Sequence, residues 1–571
     1  MRKTSRSCLI LVAMLCTGLA SARDSAVRLP DIGSSAGQIM SPREERSYGA
    51  SMLHEMRSLN LVLDDPLLND YITTTGYRLV ARSDKPNQHY TFFIVRDLGI
   101  NAFAAPGGFI GVNAGLLTTT TEESELAAVL AHEIAHISQD HMLRAFEDSK
   151  KASLPIALAM LGAILASQGA SGDGAEAAIV TGTSLIHQRQ INFTRQDEIE
   201  ADRVGIQTLV RAGFNPDAMA GFFGRMERAL RPGGGDGQIP DLLRTHPVTT
   251  DRISDAKARA GAIRDEEATR LVVPDAAFAK LPQDYRHVGK PRASDDLSAP
   301  LPVAALSARS SAASSAARND YFLMMRERVR VLASDQPTQT LAYYVGGLRD
   351  QANFDTLSNR YGHALALASA GQFDAARKAL HVLADADPRS LPLQIALAHT
   401  EAQTGQRTES LSRYERLLAN TPGSDAIALS YAQTLIEDGR RNSARHAQEL
   451  LRPLMAQEID DPEIYRVFAR ASELADDKIR AAEAYADVAL LNGRLEDALN
   501  QLRELTKRSD LDYYQRARID ARIAEVTPIV LELRHRGIKP GDQGRLAPDF
   551  SCADSGSCAS MSSRRNNSAL E

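Results

Sequence analysis

Tryptophan is absent from the 571 residues, aromatic residues make up only 5%, and cysteine occurs four times. Two of those cysteines, Cys8 and Cys16, fall in the first 22 residues, and the other two, Cys552 and Cys558, sit in a Ser-rich tail. A local bond between the tail pair stays open in an oxidising compartment, but a disulfide-stapled scaffold is excluded. The fold must therefore rest on packing and metal. No apolar run approaches the roughly 20 residues needed to cross a bilayer. The longest, LPIALAMLGAILA at 154–166, has thirteen and predicts a buried or lid helix. It lacks the charged face of an interfacial helix, which leaves only peripheral membrane contact open. Positive charge is not in excess either, since 66 Lys and Arg face 72 Asp and Glu for a net charge of −6. That balance argues against nucleic acid as a partner.

What is present is ordinary globular material, 43% hydrophobic and 24% charged, at a length that suggests roughly three or four domains. Residues 1–22 place Arg2, Lys3 and Arg6 ahead of a short apolar stretch that closes on Ala20-Ser21-Ala22, the pattern of a cleaved secretory signal peptide. Loss of those three positive charges takes the net charge from −6 to −9.

Residues 41–288 read as a first domain of mixed elements. Extended stretches at Tyr90 to Val95 and Phe109 to Val112, bounded by turn residues, predict a small sheet. From Glu122 to about Phe146 the pattern is helical, with apolar positions at Leu126, Leu130, Ile134 and Ile137 and alanines on the other faces, so this helix should be buried. Another helix is expected from about Arg195 to Arg211, ending at Gly213. Residues 289–318, rich in Pro, Ser and Ala, read as a linker. Beyond it, Gly371, Gly405 and Gly439 recur every 34 residues, as do Pro388 and Pro422. That is the period of tetratricopeptide repeats, so residues 319–535 are expected to form an all-α solenoid. Pro462 follows Pro422 by 40 residues, implying a short insertion, and Gly493 opens a further match. The tail 540–571 lacks apolar periodicity and reads as disordered.

The chemistry is carried by HEIAH at 132–136. Residues four apart share a helix face, so His132 and His136 can present imidazoles to one Zn2+ while Glu133 stands beside the open coordination position as general base. With 13 histidines in the chain, about 0.02 chance matches to this pattern are expected. A catalytic zinc site needs a third protein ligand, and RQDEIEADRVGI offers Asp197, Glu198 and Glu200. Glu198, Ala201, Asp202 and Gly205 share one face, and the small residues let that face approach the zinc helix. This selects Glu198 as the ligand and puts Asp202 one turn on, where it can orient a ligating imidazole. Glu200 is expected to face solvent.

HEIAH followed by Glu198-x-x-x-Asp202 resembles the CAAX prenyl protease and HtpX-like family of zinc metalloendopeptidases. The family pattern NAFxxPGGxIxVxxGLL matches Asn101 to Leu117, and its HPxxxxR matches His246-Pro247 and Arg252. The resemblance covers about residues 41–260 and implies an α+β zincin-like metallopeptidase domain with one zinc per chain. It brings His246 and Arg252 to the metal as candidate oxyanion donors, with a second role for His246 as a cap that fills the open position at rest. It also implies a proton-donor role for Asp202, whereas the helix face favours orientation of a zinc ligand. It tips the stretch Gly108 to Val112, with Asn113, toward an edge strand that binds extended substrate.

Signal, catalytic domain and repeats together resemble the Gram-negative periplasmic branch of that family. The implied function is hydrolysis of misfolded or stalled outer-membrane proteins in the periplasm, in association with the outer membrane or the barrel-assembly machinery, with a chaperone-like role in assembly. A repeat-based chaperone or scaffold with latent or minor proteolysis is the rival expectation.

Overall fold

The computed structural model of the chain describes residues 41–144, 195–229, 242, 246–270, 315–456, 461–492 and 494–535. The expected signal peptide, the 154–166 helix, most of the linker, Gly493 and the tail with its cysteines lie outside the described residues. Among the described residues no helix is long and apolar enough to cross a membrane.

Two helices open the described chain, α1 (Pro42–Ser58) and α2 (Pro66–Val80). Each begins with proline in its first turn, where the missing N–H costs nothing, behind a side-chain cap: Ser41 accepts from Glu44 N and Asp65 from Leu68 N. A three-stranded sheet follows, formed by β1 (Thr91–Val95), β2 (Ala102–Ala105) and β3 (Phe109–Asn113) in the order β1-β3-β2. β3 is parallel to β1 and antiparallel to β2. The tight link between β2 and β3 uses Gly107 and Gly108 at φ 78° and 85°. A Cβ on Gly108 would stand 2.0 Å from the His89 carbonyl oxygen, so only glycine fits. The segment 61–63 covers the outer edge of β1 through Leu63 N to Ile94 O and Arg96 N to Leu61 O. This corrects the expected edge strand: Gly108 to Val112 lies in the middle of the sheet, and the free edge is β2.

Behind the sheet come α3 (Ala114–Thr119), α4 (Glu123–Ser138), α5 (Arg195–Arg211), α6 (Asp217–Ala229) and α7 (Thr250–Arg270). α4 is buried along nearly its whole length. Its alanines favour helix, and Glu123 and Glu125 in its first turn complement the helix dipole. It stops eight residues before Phe146, because Asp140 adopts φ 56° and turns the chain.

The C-terminal region is helical throughout its described residues. It begins with α8 (Ser315–Leu332) and α9 (Pro337–Asp350) and continues through α10 (Leu357–Ser369), α11 (Phe373–Ala386), α12 (Leu391–Gln403) and α13 (Arg407–Asn420). There follow α14 (Asp425–Glu437), α15 (Arg441–Met455), α16 (Pro462–Leu474), α17 (Lys478–Leu491), α18 (Leu495–Thr506) and α19 (Tyr513–His535). From α10 onward each helix packs on the next. Gly371, Gly405 and Gly439 hold φ between 68° and 81° in the turns after α10, α12 and α14, and Asp476 takes φ 65° after α16. The fourth of these turns therefore uses aspartate, so a search for glycine passes over it.

The two regions share one core that runs from Leu63 through Phe322 to Ala484. α8 lies against α2, α3 and α4, and α14 against α2. At the seam, Arg328 reaches Asp65 at 2.6 and 2.7 Å, and Arg96 donates to the Leu332 carbonyl.

Candidate metal centre and active site

The geometry of the site starts from the contact between α4 and α5. A Cβ built on Gly205 would lie only 3.2 Å from His132 N and 3.3 Å from the Ala131 carbonyl, so α5 rests directly on the α4 backbone. That approach brings Glu198 and Asp202, 2% and 3% exposed, against the two histidines of α4. His132 Nε2 and His136 Nε2 stand 3.0 Å apart, and each is 3.5 Å from a Glu198 carboxylate oxygen. His246 enters from the segment before α7, with Nδ1 2.8 Å from Glu198 Oε1 and 3.5 Å from His132 Nε2. Donor atoms from His132, His136, Glu198 and His246 all lie within 4.8 Å of one another.

Electrostatics shows that the cluster is built for positive charge. Burial alone would lower the His132 pKa, but hydrogen bonds to Asp202 and Glu198 outweigh it and push it up to about 10. Burial raises the Glu198 pKa, but His132 and His246 outweigh it and leave it well below the carboxylate range. Burial and the charges of His132 and His246 drive His136 well below the usual histidine range, so it is a neutral imidazole with a lone pair to offer. A metal ion would satisfy these donors together, which a single proton on His132 cannot do. With the His132 proton displaced, two imidazoles and a carboxylate are a fitting donor set for a divalent transition metal.

A second layer holds the donors. His132 Nδ1 faces Asp202 Oδ1 at 3.0 Å. Asp202 is gripped at 2.7 and 2.8 Å by Nε and Nη2 of Arg252, whose Nη1 reaches Glu198 Oε2 and the Pro247 carbonyl, each at 2.8 Å. Opposing the burial that would raise it, this pairing lowers the Asp202 pKa, so the group is an anion. On the other side, His136 Nδ1 meets His141 Nδ1 at 2.8 Å, and His141 Nε2 meets Glu200 Oε2 at 3.2 Å. Glu200 keeps 41% of its side chain in solvent, as expected, while one of its oxygens meets His141. His141 was within reach of sequence reasoning, only five residues past the motif in HEIAHISQDH, but nothing in the helix period marks it.

Glu133 is fully buried and neither of its oxygens has a hydrogen-bond partner among the described residues. His246 Nε2 lies 3.8 Å from Glu133 Oε1. Beside Glu133 lies a cavity of ≈20 Å3, bounded by Val129, Met219, Phe222, Leu242 and Val248 together with His246. A water needs about 10–15 Å3, so one fits next to the free carboxylate. A carboxylate left unpaired in such a place is available to take a proton.

Comparison with known proteins agrees with this reading. Residues 66–260 match the model of peptidase family M48. The chain is 30% identical over 508 residues, 88% of its own length and 92% of the relative's, to the beta-barrel assembly-enhancing protease of Escherichia coli (strain K12). It is 41% identical over 241 residues to a putative beta-barrel assembly-enhancing protease of Vibrio cholerae, a match that covers 42% of this chain and 49% of the relative. Mitochondrial metalloendopeptidase OMA1 of Schizosaccharomyces pombe is 32% identical over 195 residues, 33% of this chain and 54% of the relative. Buried histidines and a glutamate that converge as metal donors, with a further buried carboxylate on the same helix, fit such an enzyme, and the chain belongs to peptidase family M48, as a metalloendopeptidase.

Proposed function

We propose that the chain is a zinc endopeptidase of the periplasm that hydrolyses misfolded or stalled outer-membrane proteins and assists their assembly. The observation that carries the enzymatic part is the unpaired Glu133 carboxylate beside the converged donors of His132, His136 and Glu198. His132, His136 and Glu198 would hold the zinc, and a metal there would supply Lewis acidity toward the scissile carbonyl and toward water. Glu133 takes the proton of the attacking water and returns one to the leaving amine. Asp202 orients His132. Its anionic state and its two bonds from Arg252 support this role over proton donation. Arg252 is spent on Asp202, Glu198 and Pro247, which leaves His246 as the better donor to a developing oxyanion.

His246 also has the place of a cap, since its Nδ1 lies among the metal donors. Leu242, four residues before it, donates its N–H to the Ile100 carbonyl next to β2. Movement of His246 away from the other donors would free the fourth donor position. The Asn113 N to Asn101 O bond and the register Ala102↔Val112 turn the N–H groups of Ala102 and Ala104 away from β3. An extended substrate can add there by main-chain bonds, with little regard to side chains. The 34-residue recurrence of left-handed glycines supports reading the C-terminal helices as tetratricopeptide repeats that dock clients or the barrel-assembly machinery. The domain limits follow as 41–288 and 319–535, with a signal peptide at 1–22, a linker at 289–318 and a tail at 540–571. The relatives named for beta-barrel assembly support the choice of client, and the choice of compartment rests on the signal-peptide pattern of residues 1–22.

The test is Glu133→Gln in the purified mature chain. Zinc content should stay at one per chain while cleavage of an unfolded β-barrel protein is lost. Cleavage at the wild-type rate would sink the enzymatic assignment. Full complementation in cells by Glu133→Gln, with loss only on deletion of 319–535, would favour the scaffold reading.

A further inference from the structure

His141 is wholly buried and has no place among the metal donors or the base. Its Nδ1 lies 2.8 Å from His136 Nδ1, and a contact between two ring nitrogens needs one donor and one acceptor. His136 turns Nε2 toward His132 and Glu198. For that nitrogen to offer a lone pair to a metal, the ring proton must sit on Nδ1. His141 Nδ1 then accepts it, and the His141 proton moves to Nε2, which faces the Glu200 carboxylate at 3.2 Å. Every proton in the chain His136 to His141 to Glu200 has an acceptor in this one arrangement. We propose that His141, anchored by Glu200, is a positioning residue that locks His136 in its Nε2-coordinating tautomer and fixes its ring plane.

The backbone is bent to make this contact. Along an uninterrupted helix His141 would stand about 140° around the axis from His136. Instead Asp140 takes φ 56°, a conformation that aspartate tolerates better than most residues. Lys85 holds it there, with Nζ 2.7 Å from both carboxylate oxygens. His141, Asp197 and Glu200 could also be taken for a second cation site. Arg144 opposes this, since its Nη2 already lies 3.1 Å from Glu200 and 3.6 Å from Asp197.

The inference rests on the metal reading of His136, and the experiment separates the two. Zinc affinity of the full mature chain is measured by competition with a chromophoric chelator for wild type, His141→Phe, His141→Asn and Glu200→Gln. Visible spectra of the cobalt-loaded forms are recorded alongside. His141→Phe should bind zinc about 10- to 100-fold more weakly and alter the cobalt spectrum. His141→Asn, whose Oδ1 can accept from His136 Nδ1, should recover most of the affinity, and half-exposed Glu200→Gln should fall between. Equal affinity in His141→Phe and wild type, or equal loss in the Phe and Asn variants, would overturn the positioning role. A wild-type stoichiometry of two metals that drops to one in His141→Phe would overturn it as well, in favour of a ligand. No metal in any variant would instead sink the metal reading itself.

Discussion

Gly205 is the position at which the proposed metal site can be loosened without touching a donor. A Cβ there would lie 3.2 Å from His132 N and 3.3 Å from both the carbon and oxygen of the Ala131 carbonyl, all backbone atoms that cannot swing aside. Gly205→Ala therefore asks α5 to retreat by a few tenths of an ångström, a cost offset by the roughly 1 kcal/mol that alanine gains over glycine in a helix. Gly205→Val adds two methyls and gives no such relief. Overpacking of this kind costs about 1–3 kcal/mol. Glu198 lies two turns along the same face, so the strain is relieved by drawing its carboxylate away from His132 and His136. Ligand distances in metal sites tolerate only about 0.2 Å. If the strain is released by losing metal, zinc affinity should fall roughly 5- to 150-fold. Chelator competition measures that fall, and thermal unfolding with and without zinc should show a smaller metal-dependent rise in Tm. Gly224→Ala on α6 is the control, because a Cβ there meets nothing within 4 Å and should leave affinity unchanged. Wild-type affinity in Gly205→Val would refute the view that direct contact of α4 and α5 sets the donor geometry.

Other expectations follow from the seam, the buried acids and the sheet edge. Arg328→Met should cost about 3 kcal/mol in denaturant unfolding, the low end for a broken buried pair, because Asp65 keeps its capping bond to Leu68. Adding Asp65→Asn should return part of it, and a loss below about 1 kcal/mol would make the pair incidental. Burial raises the Glu123 pKa against the pull of Arg78 and Arg318. Its folded state thus favours the protonated form, and the stability this contributes is present below the unfolded value of about 4.3 and is lost as pH rises through the raised value. Glu123→Gln should accordingly raise Tm more at pH 8 than at pH 4; the opposite order would show that the ion pair with Arg318 outweighs burial. Ala104→Pro removes an N–H that points away from β3, so it should slow cleavage of unfolded protein while zinc content holds. Undiminished cleavage would place substrate elsewhere than on β2.

The parts of the site that were legible in the sequence are those fixed by helix period alone. His132 and His136 share a face whatever surrounds them, and Glu198 stands out from Asp197 and Glu200 because only its face carries Ala201 and Gly205. The 34-residue recurrence was readable for the same reason, since each left-handed turn calls for glycine, and it faltered where Asp476 fills that role. Strand order was not legible. β1 and β3 are apolar runs buried along almost their whole length, whereas the edge strand is the four-residue Ala102–Ala105, whose three alanines have little strand propensity.

The layer behind the donors was hidden for a different reason. Asp202 sits on the same helix face as the donor Glu198, so period reveals it, but His141 reaches His136 only because Asp140 leaves the helical region and Lys85 holds it there. No spacing rule predicts a left-handed turn at an aspartate. The two imidazoles consequently depend on unlike supports. His132 leans on a carboxylate that Arg252 neutralises, deep in the protein, whereas His136 leans on a second imidazole whose carboxylate partner is 41% exposed. Exposure weakens an ion pair by solvent screening, so salt acts on the His136 side first. Acid acts on the other side: the carboxylates of Asp202 and Glu198 favour the protonated form of His132 whereas burial keeps His136 neutral, so on acidification protons compete with metal at His132 before His136.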